Sequence, residues 1–172
     1  MDGIFGHSWQ FFVRIFSKQM SKRVLPKRHL GVLGMNPGAN EHQSQTPNIH
    51  MQYTLLFAEP AEEFAKRDNP DLAPAYWGAW GSYVQAVEAS GIVVNGAGLQ
   101  PPSTATMLRI RDGKRQIHDG PYPESKEILG GFFVIEVASL DVALEWAAKS
   151  PAAQSGSVEI RPVLPPPPNQ PA

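Results

Sequence analysis

Two adjacent residues, His118 and Asp119, are the first candidates for chemistry in this sequence. An imidazole titrates near neutral pH, and a neighbouring carboxylate can hold the ring and tune its pKa for proton transfer. Consecutive side chains of an extended segment point to opposite sides, so these two need not touch. Asp119 also precedes Gly120 and Pro121, which suits a turn where the aspartate bonds nearby backbone amides. A catalytic role for the pair and a local turn role for Asp119 both stay open.

Four further residues are candidates for binding a ligand: Arg109, Tyr122, Glu124 and Lys126. Lys126 lies in a charged run and would be the cationic partner of an anionic ligand. A solvated loop with local ion pairs is the alternative for this run. Arg109 and Arg111 share one strand face, where two buried arginines would need carboxylates or an anionic ligand as partners. On a solvent-facing strand the same arginines carry no special meaning.

The sequence contains no cysteine, which excludes disulfides, thiolate nucleophiles, iron–sulfur clusters and cysteine-based zinc sites. Its histidines and carboxylates show no spacing typical of metal ligands, so we predict no metal and no cofactor. Gly130 and Gly131 do not form a phosphate loop, because no Lys-Ser/Thr pair follows and the next segment has a strand pattern. We expect these glycines to allow close backbone packing.

The composition of the chain argues against two further classes of protein, those that bind nucleic acids and those that span a membrane. The 172-residue chain has 15 basic and 16 acidic residues, and its net charge of −1 argues against a dedicated nucleic-acid-binding protein. A hydrophobic content of 42% is typical of a globular protein. No apolar run approaches the roughly 20 residues that span a bilayer. We therefore predict a cytoplasmic protein without a nucleic-acid or membrane partner.

The balance of basic and acidic residues changes near residue 50. Residues 1–50 have six lysines and arginines against two acidic residues, whereas residues 51–172 have nine against fourteen. We interpret residues 1–50 as a flexible basic extension, with a membrane-surface or targeting helix as one alternative and a natural start at Met51 as another. Residues 51–164 are the folded domain. Residues 165–172 are a proline-rich tail, which cannot join a helix or a sheet.

The first half of the folded domain predicts a strand, a loop and a helix. Residues 51–57 are apolar with strong β-propensity, and residues 59–74 read as a loop with a short helical turn near 62–66. A helix then begins at Ala75 and ends at Gly91, which tolerates the left-handed cap conformation. Its apolar face follows helical spacing and consists of Tyr76, Trp77, Trp80, Tyr83, Val84 and Val87.

The second half of the domain is predicted to begin with a short strand at residues 92–94 and a loop at 95–102. Four more strands follow. Residues 104–111 and 115–118 pair through the tight turn Asp112-Gly113, whose central positions favour positive φ. Residues 131–137 form the next strand, and residues 157–163 form the last. Between them, Ser139 caps a helix. The predicted buried stripe of that helix is Leu140, Ala143, Leu144 and Ala147.

This order of elements predicts an α+β fold with a ferredoxin-like antiparallel sheet and two helices on one face. The other sheet face is left uncovered. If it is apolar, a second sheet must cover it, and two copies of the chain closing into a dimeric α+β barrel are the simplest solution. We therefore expect a homodimer.

One stretch resembles the signature of the DGPF branch of the YciI-related family. The similar residues run Asp119-Gly120-Pro121-Tyr122-Pro123-Glu124-Ser125-Lys126-Glu127 and then Leu129-Gly130-Gly131. The resemblance continues through residues 98–106, 140–147 and 156–162 and covers about 51–164. Tyr122 and Pro123 depart from the family pattern, which has Phe and usually Ala there.

The resemblance implies a ferredoxin-like, dimeric domain and says less about activity. Relatives in the wider family include lyase-type enzymes, such as a dehydrochlorinase with an acid/base histidine and aspartate. Members are also often encoded beside extracytoplasmic-function sigma factors. Two hypotheses follow: a small-molecule lyase or isomerase with acid/base chemistry around Asp119, and a non-catalytic ligand-binding or regulatory module linked to such a sigma factor. Neither names the ligand.

Overall fold

The computed structural model describes residues 50–120 and 126–165. Its main feature is a four-stranded antiparallel sheet in the order β2-β5-β1-β6. The four strands are β1 (Met51–Pro60), β2 (Val93–Gly98), β5 (Glu127–Val137) and β6 (Ser157–Pro162). The remaining elements are α1 (Ala61–Ala65), α2 (Ala73–Ala89), β3 (Thr106–Arg111), β4 (Lys114–Asp119), α3 (Leu140–Ala148) and α4 (Ala152–Ser155). Short 3₁₀ turns lie at Lys66–Asp68 and Pro102–Thr104.

The strand order confirms the ferredoxin-like α+β fold. Both long helices return the chain to the sheet between strands, as the split βαβ pattern requires. The core consists of alternate side chains of β1 and β5 together with one face of α2 and small residues of α3. Leu55, Val87, Ile135 and Ala143 are fully buried in it. Phe57 contacts the rings of Tyr83 and Phe133 edge-on, and Phe133 contacts Tyr83 at a tilted angle, so these rings join α2 to the sheet.

The strands β3 and β4 form a second, two-stranded sheet inserted between β2 and β5. We refer to residues 106–119 as the hairpin. Its turn is the predicted Asp112-Gly113 pair, with φ of 51° and 73°. Positive φ at both central residues is typical of the tight turn that joins two hairpin strands, so the predicted Asp112-Gly113 turn is confirmed.

The cap predictions are also confirmed. Gly91 follows α2 with φ of 75°, in the left-handed region where glycine meets no steric cost. The Ser139 hydroxyl accepts a hydrogen bond from the backbone N–H of Val142 at 3.4 Å and caps α3. The short helical turn predicted near residues 62–66 is α1.

Several predicted boundaries are wrong. β1 continues to Pro60, β2 continues to Gly98 and β5 begins at Glu127, because strand pairing carries the chain through residues that alone resemble loops. The predicted stripe of α3 is correct only for Ala143 and Ala147. Leu140 and Leu144 are 46% and 49% exposed, since the small alanines make the close approach to the sheet.

Candidate functional site

Asp119 lies at the end of β4, on a face of the hairpin that is otherwise mostly apolar. Opposed residues of an antiparallel pair share a face, and the register pairs Asp119 with Thr106 and Ile117 with Leu108. Leu108 and Ile117 are 59% and 51% exposed. The Thr106 hydroxyl donates to the Asp119 Oδ1 at 3.4 Å. The carboxylate is exposed, which leaves it accessible beside an apolar surface.

His118 lies on the opposite face of the same hairpin. The register pairs it with Met107, beside the pair formed by Arg109 and Gln116. Because consecutive side chains of an extended strand point to opposite sides, His118 and Asp119 lie on different faces, as the sequence analysis expected. Within one chain the two side chains do not form a single acid/base pair.

The ligand-binding candidates are spread over several places. Arg109 is exposed on the face that carries His118. Lys126 is exposed just before β5. Tyr122 and Glu124 lie outside the described residues. The structure thus groups Arg109 with His118 and not with Asp119.

A buried polar cluster at the end of β1 was missed by the sequence analysis. Glu59 is 1% exposed, although it is charged and was assigned to a loop. Its carboxylate accepts hydrogen bonds from the Tyr76 hydroxyl at 2.7 Å and from the Trp80 indole N–H at 3.3 Å. Arg67 Nη2 lies 3.4 Å from Glu59 Oε2 and completes the set. A buried carboxylate needs partners of this kind to offset its lost hydration.

Arg67 connects this cluster to two distant chain segments. Its Nε donates to the Tyr76 hydroxyl at 2.8 Å, its Nη1 to the Leu99 carbonyl at 3.1 Å and its Nη2 to the Gly130 carbonyl at 3.4 Å. The guanidinium also stacks 3.8 Å from the centroid of the Phe64 ring. These contacts use the planar fork of donors that only arginine offers.

The two glycines of the Leu-Gly-Gly motif provide the space for this arrangement. A Cβ on Gly130 would lie 2.6 Å from Arg67 Nη2 and 3.2 Å from Glu59 Oε2. A Cβ on Gly131 would lie 2.7 Å from the Ala97 carbonyl oxygen across the β2–β5 pair. Close packing at this motif, which the sequence predicted, is confirmed.

Comparison with known proteins now identifies the fold family. The model of the YCII-related domain matches residues 51–166, which is more than half of the chain. The chain belongs to the YCII-related domain family. Its matched range begins at β1 and runs past β6, so it contains the hairpin, the Asp119 motif and the buried cluster.

Two individual proteins are similar to this YCII-related domain, one in sequence over part of its length and one in structure at low sequence identity. "Uncharacterized protein R00369" of Rhizobium meliloti (strain 1021) is 44% identical over 69 residues, which are 39% of this chain and 56% of that protein. The chain thus spans little more than half the length of that relative. A solved structure, 5-chloro-2-hydroxyhydroquinone dehydrochlorinase (TftG) from Burkholderia phenoliruptrix AC1100 with 2,5-dihydroxybenzoquinone, shows 16% identity and a TM-score of 0.36. That match covers 64% of this chain and 91% of the dehydrochlorinase.

The pKa values of two buried tyrosines in this YCII-related domain are raised well above the ordinary value. Burial raises the pKa of Tyr76, and its hydrogen bond to Glu59 raises the pKa further, while Arg67 acts in the opposite direction. Burial alone raises the pKa of Tyr83. The Tyr83 hydroxyl finds no hydrogen-bond partner among the described residues. Both phenols therefore stay protonated at neutral pH.

One sequence signal would have revealed the buried cluster. Tyr53, Leu55 and Phe57 alternate toward the core, and continuing this period of two places Glu59 on the same face. In residues 50–120 and 126–165 no group of three or more histidines and carboxylates could hold a metal ion. No helix in these ranges is long and apolar enough to cross a membrane.

Proposed function

We propose that this YCII-related domain acts on a small molecule by acid/base chemistry, with Asp119 as the group that accepts and returns a proton. The observation that carries the proposal is the position of the Asp119 carboxylate beside the exposed Leu108 and Ile117 side chains. An apolar surface of this kind binds a carbon skeleton, and the adjacent carboxylate reaches one of its protons. Asp119 is the one carboxylate on this face of β3 and β4.

The chemistry belongs to the lyase or isomerase type. In a lyase reaction the Asp119 carboxylate takes a proton from a substrate carbon, the freed electron pair forms a double bond, and a leaving group departs. In an isomerase reaction the same proton returns to a different substrate atom. Arg115 shares the face with Asp119 and would bind an anionic substituent of the substrate.

The proposal includes a homodimer, because a single hairpin face cannot exclude water from a substrate. The sheet face opposite the helices carries half-buried apolar side chains at Leu56, Phe132 and Val134. Charge also favours a second copy as the cover. The hairpin has four basic and two acidic residues, while the rest of residues 51–165 has five basic and twelve acidic. The basic hairpin of one copy would therefore be attracted to the acidic body of the other.

A ligand screen with the full chain and its Asp119→Asn variant tests the role of Asp119. A ligand at 100 times its Kd should add about 2.7 kcal/mol to the free energy of unfolding. We expect a ligand that stabilises the wild type and shows deuterium incorporation at carbon in D₂O. We expect Asp119→Asn to abolish the incorporation without lowering the unliganded melting temperature.

Asp112→Asn is the matched control, because Asp112 is an exposed aspartate of the same hairpin and asparagine also tolerates its positive φ. It should behave as wild type. Asp119→Asn that melts earlier and leaves ligand binding unchanged would make Asp119 a structural residue and overturn the proposal.

The alternative is a non-catalytic ligand-binding or regulatory module. The separation of His118 from Asp119 on opposite hairpin faces favours it, because one chain then offers a single proton-transferring group on the apolar face. A ligand that stabilises the chain, with neither turnover nor deuterium incorporation, would select this alternative. The same screen therefore distinguishes the two functions.

A further inference from the structure

The hairpin leaves and rejoins the body of the domain at two neighbouring points. Leu99 directly follows β2 on the way to β3, and Gly130 lies in β5 after the chain has returned. The Leu99 backbone N–H donates to the Gly130 carbonyl at 2.9 Å. Arg67 donates to the carbonyls of both residues, Leu99 at 3.1 Å and Gly130 at 3.4 Å. The Arg67 guanidinium therefore bridges the chain segment that leads to the hairpin and the segment that follows it.

We propose that Arg67 is a positioning residue that fixes the direction of the hairpin and thereby places Asp119. The effect of Arg67 on a ligand rests on the proposed function of Asp119, whereas its effect on the hairpin does not. These two hydrogen bonds let a single side chain contact both segments. The hairpin forms a sheet of its own, and the chain connects it to the four-stranded sheet through the two segments that Arg67 contacts at Leu99 and Gly130.

The buried cluster holds Arg67 in the required orientation. Glu59 is 1% exposed and faces Arg67 Nη2, while the Tyr76 hydroxyl accepts from Nε and donates to Glu59. The stacked Phe64 ring restricts the guanidinium plane from one side. With Nε and Nη2 directed into the cluster, Nη1 is left to point at Leu99. Glu59 thus acts on the hairpin through Arg67.

Two substitutions separate this role from simple packing. Arg67→Lys keeps the positive charge beside Glu59 but loses the planar fork that reaches both carbonyls. Gly130→Ala keeps Arg67 and Glu59 but adds a Cβ 2.6 Å from Nη2, which must displace the guanidinium. Ser150→Ala is the control, because it removes a buried hydrogen bond elsewhere in the domain, from the Ser150 hydroxyl to the Ala147 carbonyl at 2.8 Å.

The hairpin direction is measured in the full chain by spin labels. The sequence has no cysteine, so Lys114→Cys on the hairpin and Glu145→Cys on α3 provide a unique exposed pair. Labelled protein is diluted with unlabelled protein, which leaves only distances within one chain. We expect Arg67→Lys and Gly130→Ala to broaden or shift the distance distribution and Ser150→Ala to preserve it. Exchange of the Leu99 amide should accelerate on the order of tenfold in the first two variants.

The outcomes separate the two proposals. An unchanged distribution in both Arg67→Lys and Gly130→Ala, or equal broadening in Ser150→Ala, would overturn the positioning role. If Arg67→Lys does not fold, Gly130→Ala alone decides in the same way. A hairpin loosened as expected, together with ligand binding that ignores Asp119→Asn, would sustain the role of Arg67 and remove the proposed function.

Discussion

At the scale of single residues, the two notable carboxylates of this domain have opposite environments. Asp119 is exposed and has one described side-chain partner, Thr106. Glu59 is fully buried and is satisfied by Tyr76, Trp80 and Arg67. An accessible carboxylate can exchange protons with a ligand, whereas a buried and saturated one stabilises its neighbours. This contrast is why we propose proton transfer for Asp119 and positioning for the cluster around Glu59.

The raised pKa values of Tyr76 and Tyr83 predict loss of stability in alkali. Above about pH 10 unfolded tyrosines lose their protons while these two folded tyrosines keep them. The folded state then binds more protons, so the free energy of unfolding falls as pH rises, by about 1.4 kcal/mol per pH unit for each tyrosine. Below the ordinary tyrosine pKa this contribution to stability is fully present. Urea unfolding between pH 8 and pH 11 measures the slope.

Tyr83→Phe is the control for that slope. It removes one of the two titrating groups together with a hydroxyl that has no partner in the described chain. We expect the variant to be at least as stable as wild type at neutral pH, because the hydroxyl has no described hydrogen bond to lose. Its alkaline slope should decrease by about 1.4 kcal/mol per pH unit. An unchanged slope would show that Tyr83 titrates normally in the folded protein.

At the scale of elements, the hairpin carries the residue that we propose for proton transfer and contributes little to the core. Its large apolar side chains Leu108, Ile110 and Ile117 are 59%, 60% and 51% exposed. A two-stranded hairpin by itself is only marginally stable in water. Its geometry therefore depends on the Asp112-Gly113 turn at its tip and, as we propose, on the contacts of Arg67 with the two connecting segments.

Gly113→Val is predicted to disturb the hairpin and spare the core. Gly113 has φ of 73°, which costs a non-glycine residue roughly 1–2 kcal/mol and a β-branched residue more. We expect the melting transition of the domain to change little and hydrogen exchange at residues 106–119 to accelerate. Gly113→Asn should retain protection, because asparagine tolerates this conformation. Equal loss of protection in both variants would contradict the turn argument.

At the scale of the whole molecule, the sheet face opposite α2 and α3 is the surface where we propose that a second copy binds. A stable protein interface buries about 1,600 Å² in total, which one face of a four-stranded sheet can supply. Leu56, Phe132 and Val134 lie on that face and are half-buried in the single chain. Two chains joined there would form the dimer included in the proposed function.

Val134→Lys is predicted to convert that dimer into a monomer. A buried charge on each copy at the centre of the interface would be unpaired and costly. Sedimentation velocity measures the change, and Gln154→Lys, which places the same side chain at an exposed position of α4, should remain dimeric. A wild-type chain that sediments as a monomer at micromolar concentration would remove the homodimer from the proposal.

The sequence by itself determined the local features of this domain. The helical period of α2, the cap at Ser139 and the Asp112-Gly113 turn each depend on contacts within a few residues, and all three agree with the structure. The order of these elements was sufficient for the ferredoxin-like sheet, because few strand orders satisfy one split βαβ pattern.

The surroundings of the charged residues depend on the tertiary structure. Glu59 and Arg67 appeared to belong to a polar loop, yet β1 extends by pairing with β5 and carries Glu59 into the core. The partners of Arg67 at Leu99 and Gly130 are 32 and 63 residues away along the chain. Sequence patterns report the preferences of neighbouring residues, whereas burial and hydrogen bonding of a charge depend on segments that meet only after folding.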